Sequence, residues 1–586
     1  MKHILLRAVL TLLVLIPVSS CIDKNYDLSD IDTTSQLKVK DLVVPLNIDV
    51  ITLGDIFNVK ENDDIQEVSL NGNKFYAIHK KGTFHSDKFV IPSFTSPAPN
   101  LLPDIINYHT GITSQTIGNR LTLPMTQPIE NDLIYKAEGI DSSIVTLDDI
   151  YTDRLTFTIL FNALNLPSGI NASLDEISIL LPKGLTLDSS DIDFIYNPST
   201  GRLSIKSLPL VNGEARLSIS VNTVNLPANG CRISNQSFTF SSCLNIERAN
   251  LIVEPVSSNE TIPSDIRLQA SYILSDMVVR ALTGDIEYYF DGNGIAIPSI
   301  DLSVLPDFIA GTGTNLILAN PQVYLSVNNP LTALGLDWTS GFQVTAVRTA
   351  QPSKSYGLDY GHIGVDHSKP LGERYNYRLS PDLEKDQILI PTGYENPEHV
   401  MFSGLREVLS GEGLPDQLDL KFVDPKIFRQ HIDKLLLDTE FPALEGNWEL
   451  IAPLALTNLD DNRSQIIYSK TDKGWHDTRL YDMTIETLEL TMKVDNDLPL
   501  EATLNGYPID ITGQQIGNVS IEGAVVPANA KDQEVKLYIT GEVKKLDGIT
   551  FTAFVYPDSD KPLSSSQTLR LKEIKAKVSG YYIKKL

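Results

Sequence analysis

Cysteine, tryptophan and histidine are scarce in this sequence, which has 3, 3 and 9 of them among 586 residues. The motifs of the best-marked enzyme classes are absent too: there is no Gly-x-Ser-x-Gly, His-Glu-x-x-His, Gly-x-x-x-x-Gly-Lys, Cys-x-x-Cys or helix-opening Gly-x-Gly-x-x-Gly. A glycoside hydrolase needs only two carboxylates, and 74 acidic residues do not single out a pair. We therefore predict a protein that is not an enzyme and uses no cofactor, with a carboxylate-dependent glycoside hydrolase as the enzymatic alternative.

Positive charge is also in short supply. The chain has 48 Lys and Arg against 74 Asp and Glu, which gives a formal net charge of −26 at pH 7. A field of this sign repels nucleic-acid phosphates and anionic lipid surfaces. We therefore expect no nucleic-acid partner, and we expect membrane attachment to depend on something other than charge.

The amino-terminal residues suggest such an attachment. Lys2 and Arg7 precede an apolar run, 8–18, that is too short to span a bilayer and ends in Val-Ser-Ser-Cys. This order predicts a secretory leader, residues 1–20, followed by a lipid-attachment site at Cys21. Acyl chains such as palmitate on Cys21 would then hold the protein at a membrane. The alternative is a signal peptide that is cut elsewhere, with an incidental cysteine.

The other two cysteines, Cys231 and Cys243, lie close together in sequence. In an exported protein such a pair is typical of a disulfide, which here would close a small loop and contribute about 3 kcal/mol in the chain-entropy description. No histidine or second cysteine pair lies near enough to complete four metal ligands. We predict a Cys231–Cys243 disulfide and no metal site, with two buried thiols as the alternative.

A polar, acidic segment follows Cys21. Residues 22–34 contain four Asp and one Lys without a periodic apolar face, so residues 21–42 are predicted to form a flexible tether. Leader and tether together resemble exported lipoproteins of the Bacteroidetes, in which acidic residues after the lipidated cysteine accompany display on the cell surface. The resemblance implies an outer-membrane location with the protein facing outward. In many other Gram-negative bacteria an Asp two places after the cysteine, here Asp23, accompanies retention at the inner membrane.

Short alternations of apolar and polar residues dominate the rest of the chain. Residues 67–70 and 74–78 flank Asn71-Gly72, which predicts a hairpin, and residues 287–290 and 295–297 flank a second predicted turn. Recurrent short strands of this kind are typical of antiparallel β-sandwiches. We therefore predict a mainly all-β fold of tandem, immunoglobulin-like antiparallel sandwiches.

Three strands that lead into asparagine-containing turns suggest an internal repeat. They begin at Leu155, Val323 and Leu490, at nearly equal spacing, and each leads into a turn in which Leu or Pro follows Asn. The Asn-Pro and Leu-Pro phrasing is similar to that of sandwich domains of the late-embryogenesis-abundant type, which implies the same fold. Coincidental turn chemistry is the alternative, because Asn and Pro are common where strands end.

One region departs from the strand pattern. Residues 402–409 predict one or two helical turns, and after Pro425, a favoured first helical residue, four apolar residues fall at the spacing of one helix face. They are Phe428, Ile432, Leu435 and Leu436. We predict a small helical insertion near 402–437 that packs on the edge or open end of a sandwich.

The length of the chain exceeds a single hydrophobic core and predicts three or four domains in series. We place an N-terminal β domain at 43–145, a sandwich at 146–290, a sandwich with the helical insertion at 291–445, and a C-terminal sandwich at 446–586.

One glycine-containing stretch concentrates tyrosine and arginine. Tyrosine rings can stack on sugar faces while Arg and Tyr groups hydrogen-bond them, which makes this stretch the best candidate for recognising a glycan or a protein. Coverage of a strand edge by the tyrosines is the alternative. The candidate residues are Tyr356, Tyr360, Arg374, Tyr375, Tyr377 and Arg378.

These expectations lead to one function hypothesis and two alternatives. In the first, a lipid-anchored, non-enzymatic protein at the outer membrane captures a glycan or a host or partner protein. In the second, it is an envelope assembly or structural subunit that contacts other proteins through sheet edges or the 425–437 helix. In the third, it is the hydrolase named above.

Overall fold

The computed structural model describes residues 34–45, 51–52, 65–70, 73–111, 120–188, 193–257, 260–290, 295–303, 313–349, 351–370, 372–382, 390–459, 462–517 and 519–585. Within these ranges nearly all regular structure is antiparallel β-sheet, with one short helix, α1 (Gly404–Leu409), and 3-10 turns at Thr332–Leu334 and Trp475–Asp477. The predicted all-β, sandwich-type fold class is confirmed.

The chain folds as two compact units. Unit 1 contains the described residues of Met1–Ile51 together with Ile467–Tyr556 and Thr568–Leu586, and unit 2 contains those of Thr52–Ile466 and Pro557–Gln567. Unit 1 is therefore built from both ends of the chain, and unit 2 is built mainly from the middle.

Unit 1 is a single sheet around one core. Among the described residues its strand order is β1 (Thr34–Pro45), β41 (Thr568–Lys585), β36 (Thr484–Asn496), β39 (Gln533–Val543), β38 (Ile521–Val526), β37 (Leu500–Ile509), β40 (Gly548–Pro557) and β35 (Ile466–Lys473), with β2 (Ile51–Thr52) beside β41. Alternate residues of each strand point to the same side. Val39 of β1 and Ile549 of β40 pack in the same apolar cluster. The sheet therefore curves, so that strands near its two ends share one core.

The largest sheet of unit 2 is built around three long strands, Asp149–Ala163, Met277–Tyr289 and Gln417–Leu436. Its described strands are, in order, β12 (Leu185–Leu187), β15 (Glu214–Asn225), β10 (Asp149–Ala163), β20 (Met277–Tyr289), β30 (Gln417–Leu436), β25 (Trp338–Arg348) and β26 (Gln351–Val365), with the side branches β6 (Phe94–Ser96), β7 (Asp104–His109), β19 (Asp265–Leu274), β21 (Ile295–Ala296) and β22 (Ile300–Asp301). Phe157, Phe342 and Phe422 from this sheet are almost fully buried.

A second sheet of unit 2 carries the candidate site. Its order is β28 (Glu398–Met401), β27 (Arg374–Ser380), β24 (Gln322–Asn328), β32 (Glu445–Pro453), β4 (Asn73–His85) and β3 (Ile65–Leu70), and β27 and β28 run parallel. The hydroxyl of Tyr377 on β27 donates to the carbonyl oxygen of Gly364 on β26, which links this sheet to the largest one.

The remaining described strands form smaller sheets in unit 2. They are β13 (Phe194–Asn197), β14 (Arg202–Leu210), β11 (Ile170–Leu180), β18 (Asn245–Pro255) and β8 (Leu121–Leu123) in one; β16 (Gly230–Ser234), β17 (Ser237–Cys243) and β9 (Asp132–Glu138) in another; and the pairs β23 (Asn315–Leu316) with β29 (Gly411–Glu412), β5 (Phe89–Val90) with β31 (Glu440–Phe441), and β33 (Asn458–Leu459) with β34 (Asn462–Arg463).

The predicted tether and serial domains need correction. Residues 34–42 of the predicted tether belong to β1, which pairs with β41 from Thr34 opposite Lys585 to Pro45 opposite Lys575. Backbone pairing also crosses the predicted boundaries, because β7 pairs with β19 and β20 pairs with β30. Residues 1–33, with the predicted leader and Cys21, lie outside the described residues.

The predicted helical insertion is right only in its first part. Helix α1 lies within the predicted 402–409 segment, but the helix predicted at 425–437 is wrong, since these residues continue the long strand β30. Pairing with β20 along most of this segment, and with β25 at Lys426 and Ile427, satisfies backbone groups that a helix would have satisfied internally.

Of the two predicted hairpins, one is confirmed. Strands β3 and β4 pair from Leu70 opposite Asn73 outward. The hairpin predicted across residues 287–297 is wrong, because β20 and β21 do not pair with each other: both pair with β30, with Tyr289 opposite Lys426 and Ile295 opposite Phe422.

Two of the three proposed repeat turns have the same hydrogen-bond pattern. The Asn329 side chain donates to the carbonyl oxygens of Leu336 and Asp366 and accepts from the amide of Leu331, two residues on. Asn496 donates to the carbonyl oxygens of Leu500 and Pro527 and likewise accepts from the amide two residues on, that of Leu498. Both asparagines are buried. The shared geometry supports the repeat for these two copies.

Candidate ligand-binding cleft

The structure separates the six predicted recognition residues into two groups. Tyr356 and Tyr360 belong to β26, where Tyr356 is opposite Val344 and lies close to Gly404 of α1; the side chain of Tyr360 lies outside the described residues. The other four belong to β27 of the second sheet, namely Arg374, Tyr375, Tyr377 and Arg378.

Within the second group only the tyrosines line a cleft. Arg374 is exposed, and its Nη1 donates to the carbonyl oxygen of Ser326 at 3.4 Å. Arg378 is buried on the opposite side of β27 from Tyr377. We define the β27 cleft by Lys369, Tyr375, Asn376, Tyr377, Glu395, Asn396 and Glu398, which surround a volume of about 230 Å³.

Asp366 fixes the position of Tyr375 at this cleft. The Tyr375 hydroxyl lies 2.8 Å from the carbonyl oxygen of Asp366, hydrogen-bonds the carboxylate of the same residue, and accepts from the amide of Lys369 at 3.2 Å. Hydrogen bonds from Ser368 and Tyr375 lower the pKa of Asp366 to about 2. Burial and the bond to Asp366 raise the pKa of Tyr375. The ring therefore has a fixed orientation before any ligand arrives.

The cleft carries both signs of charge. Lys369 Nζ lies 4.3 Å from the centroid of the Tyr375 ring and donates to the carbonyl oxygen of Arg374 at 2.7 Å. Glu395 accepts from the amide of Gly393 at 3.0 Å, and this bond lowers its pKa. Glu398 is exposed and lies opposite Tyr377 in the parallel pair. Aromatic, cationic and anionic groups thus converge within a small volume.

Asn376 alternates with Tyr375 and Tyr377, so its side chain points to the other side of β27. Its Nδ2 donates to the carbonyl oxygen of Glu395 at 3.1 Å, but its buried Oδ1 has no hydrogen-bond partner among the described residues. The hydroxyl of Ser326, directly across from Asn376 on β24, also lacks one. Buried polar atoms without partners are unfavourable, and these two lie on the side of the sheet that faces away from Tyr375 and Tyr377.

A row of buried polar residues under the same sheet was not predicted from the sequence. Tyr324 lies opposite Arg378 on one side and Glu449 on the other, and all three are buried. His79 Nε2 lies 2.5 Å from Glu449 Oε1, and its Nδ1 lies 2.9 Å from Gln66 Oε1. Polar residues that alternate with apolar ones along β24 suggest a solvent-exposed face in the sequence, yet both faces of this strand are buried.

The predicted disulfide is wrong. Cys231 and Cys243 are both free thiols. In the β16–β17 pair Cys231 is opposite Phe240, whereas Cys243 lies three residues further along β17 and is opposite Asp132 of β9. The odd offset directs the two thiols to opposite faces of the sheet, where no disulfide can form. Burial raises the pKa of the Cys231 thiol to about 11.

Two histidines, His362 and His367, lie five residues apart in the sequence. His367 Nδ1 lies 2.7 Å from Asp337 Oδ1, while His362 is exposed on β26 and Asp366 is engaged at Tyr375. In the ranges described above, no group of three or more His, Cys, Asp or Glu side chains is arranged to hold a metal ion. Across those same ranges no helix has both the length and the apolar character needed to cross a bilayer.

Comparison with known proteins identifies no family. No protein-family profile matches the chain, and no curated protein matches it. Among solved structures it is similar to a protein of Parabacteroides distasonis ATCC 8503 that is inferred to be secreted, with 13% identity, a TM-score of 0.34 and coverage of 51% of this chain and 89% of that chain. It is also similar to a structure of an archaeal virus with a triple jelly roll fold, with 9% identity, a TM-score of 0.11 and coverage of 83% and 97%. Similarity this low indicates neither a shared family nor a shared function.

Proposed function

We propose that this protein is a non-enzymatic binding protein, lipid-anchored through Cys21 at the outer membrane and facing the cell surface, and that the β27 cleft captures a glycan. The observation that carries the binding proposal is the cleft itself, in which a pre-oriented tyrosine ring, a lysine and two carboxylates converge. The anchor is supported by the sequence of the first 21 residues.

The chemistry of the cleft suits a sugar unit. A pyranose presents apolar C–H groups on its faces, which pack on aromatic rings, and hydroxyls around its rim, which need donors and acceptors. Tyr375 supplies the ring, Glu395 and Glu398 supply acceptors, and Lys369 supplies a donor. Pockets that enclose drug-sized ligands have about 300–1,000 Å³. The smaller β27 cleft therefore suits one unit of a polymer that extends into solvent.

Capture without hydrolysis is favoured by the electrostatics of Glu395. A glycosidase needs a general acid whose pKa is raised, so that the acid is protonated at neutral pH. The amide of Gly393 instead lowers the pKa of Glu395.

Binding to a glycan array tests the proposal. We expect the mature protein to bind a defined set of glycans, and Tyr375→Ala to weaken that binding about tenfold or more, as loss of an aromatic anchor does. Tyr481→Ala is the matched control, because Tyr481 is also half-buried and has a lysine, Lys545, 4.4 Å from its ring centroid.

Three results would contradict this function. Absence of glycan binding, with capture of an envelope protein instead, would favour the assembly alternative, in which the protein contacts partners through sheet edges. Release of reducing ends from a polysaccharide would show that the protein is an enzyme. Mass spectrometry of the processed protein that found an unmodified Cys21 would exclude the anchor.

A further inference from the structure

The negative charge of the protein is unevenly distributed. The chain as a whole has a net charge of −26, but strands β1 and β41 together contain eight Lys or Arg and only two acidic residues. These strands are adjacent and antiparallel, so basic residues that point to the same side of both strands lie next to one another. The net charge of the whole chain is therefore a poor guide to the interactions of this surface.

The lysines lie on the outer side of the sheet. Ala576 and Val578 of β41 point into the core of unit 1, and the residues that alternate with them, Lys575 and Lys577, are exposed. Val39 of β1 packs on the same core, while its neighbours Lys38 and Lys40 are exposed. We define the basic strip as Lys38, Lys40, Lys575 and Lys577.

Most of this charge is not neutralised within unit 1. Lys577 Nζ lies 3.2 Å from Asp41 Oδ1. Lys38 and Lys40 form no ion pair with any residue that the structure describes. Two apolar side chains on the same side of these strands as the lysines are also largely exposed: Val43, opposite Lys577, by 54%, and Ile583 by 60%. Lysines interspersed with exposed aliphatic residues are the composition of surfaces that bind the headgroup region of a bilayer.

The position of Cys21 places this surface near a membrane. Twelve residues, 22–33, separate Cys21 from the first residue of β1. Even fully extended they span at most about 45 Å, since each residue adds no more than about 3.6 Å. Unit 1, and not unit 2, is the part of the molecule that begins next to the proposed anchor.

We propose that the basic strip docks on the phosphate headgroups of an anionic lipid bilayer. Each lysine near such a surface gains electrostatic attraction, and Val43 and Ile583, on the same side of the sheet, add apolar contact at the headgroup boundary. The negative charge elsewhere in the protein does not cancel this attraction, because charges more than about 8–10 Å away are screened at physiological ionic strength. The placement of the strip beside a membrane rests on the anchor in the proposed function, whereas its affinity for headgroups does not.

Vesicle flotation with the mature chain carrying Cys21→Ser, which has no acyl chain, tests the proposal. We expect binding to phosphatidylcholine vesicles that contain phosphatidylglycerol, no binding to phosphatidylcholine alone, and loss of binding between about 50 and 500 mM NaCl. The triple variant Lys38→Glu, Lys40→Glu, Lys575→Glu should reduce partitioning at least about tenfold. Lys38→Gln, Lys40→Gln, Lys575→Gln should reduce it less, and circular dichroism establishes that both variants are folded.

The matched control changes three exposed strand lysines of unit 2, as Lys136→Glu, Lys206→Glu, Lys354→Glu, and should bind vesicles like the unchanged protein. Equal losses of vesicle binding in the Lys→Glu variant of the strip and in the unit 2 control would overturn the proposal. So would absence of vesicle binding at low salt, or binding to soluble polyphosphate without binding to vesicles. Because the assay uses protein without lipid, its failure leaves acylation of Cys21 untouched, and an unmodified Cys21 leaves the vesicle result untouched.

Discussion

Asp366 shows how one side chain can organise a loop and a binding surface together. Its carboxylate accepts from the amide and the hydroxyl of Ser368 and hydrogen-bonds Tyr375, while its carbonyl oxygen accepts from the buried Asn329. The repeat-type turn at Asn329 and the β27 cleft are therefore connected through a single residue. The orientation of the Tyr375 ring depends on this connection.

The charge of Asp366 should make part of the stability of unit 2 depend on pH. Its native pKa is about 2, below the value of about 3.9 in an unfolded chain, so its contribution is present above about pH 4 and is lost as the pH falls towards 2. We expect Asp366→Ala to lower the free energy of unfolding by about 1 kcal/mol at pH 7 and by much less at pH 2.5. Urea unfolding followed through the buried Trp338 and Trp448 measures this difference.

Ser368→Ala is the companion variant for Asp366→Ala. It removes one donor to the carboxylate and keeps the amide donor, so its effect should be smaller and should decline over the same pH range. A difference between the unchanged protein and Asp366→Ala that is constant from pH 7 to pH 2.5 would show that the ionised carboxylate does not contribute.

Residue composition identified part of the candidate site but not all of it. The concentration of tyrosine pointed to Tyr375 and Tyr377, which line the cleft. It could not show that Arg378 is buried, because β27 is covered on both sides from Tyr377 to Ser380 by strands distant in the sequence. Lys369, Glu395 and Glu398 come from loops and a neighbouring strand, and no local pattern separates them from the other charged residues of the chain.

At the scale of elements, β30 is the strand that most clearly contradicts local sequence reasoning. A residue spacing of four and seven fits one face of a helix, but alternation in a long strand with register shifts can produce the same spacing. The exposed fractions separate the two readings: Ile432 and Leu435 are buried, whereas Phe428 and Leu436 are 41% and 56% exposed. A helix would have buried all four on one side.

Alanine substitutions along β30 test this assignment. We expect Ile432→Ala and Leu435→Ala each to lower the free energy of unfolding by about 2–4 kcal/mol, because each leaves a cavity in a packed core. Phe428→Ala and Leu436→Ala, which remove equally apolar but exposed groups, should each change it by less than about 1 kcal/mol. Chemical denaturation of the four variants gives the comparison, and four equal losses would contradict the strand.

Element types were predicted best where turn chemistry is strong. Asn71-Gly72 between alternating residues was sufficient for the β3–β4 hairpin. The residues between β20 and β21 have a similar composition, but both strands pair with β30, and this long-range pairing prevailed over the local hairpin.

At the scale of the whole molecule, the construction of unit 1 from both chain ends could not be inferred from the sequence. Ser35 and Lys584 share a hydrogen bond across a separation of 549 residues, and nothing in either strand specifies the other. Serial division of the chain by turns and composition therefore failed, while the strand content it assumed is correct.

Removal of β41 should affect the two units differently. Deleting residues 568–586 takes away the strand that lies between β1 and β36, so the amides of β36 and β39 should lose protection in hydrogen exchange while those of β10 and β30 in unit 2 keep theirs. Val578→Asp, which buries a charge in the same core, should give the same pattern, and Ser579→Ala should not. Loss of protection throughout the chain would show that the units do not fold independently.

The pairing of β1 with β41 also determines when unit 1 can fold during synthesis. Strand β1 is synthesised and translocated before β41. It therefore has no partner until the residues between them have been made. Most of unit 2 can fold while synthesis continues, but the sheet of unit 1 is complete only when β41 has been added. A chain that ended before β41 would thus leave β1 and β36 without their shared partner, and the apolar side of the unfinished sheet would be open to proteases and chaperones.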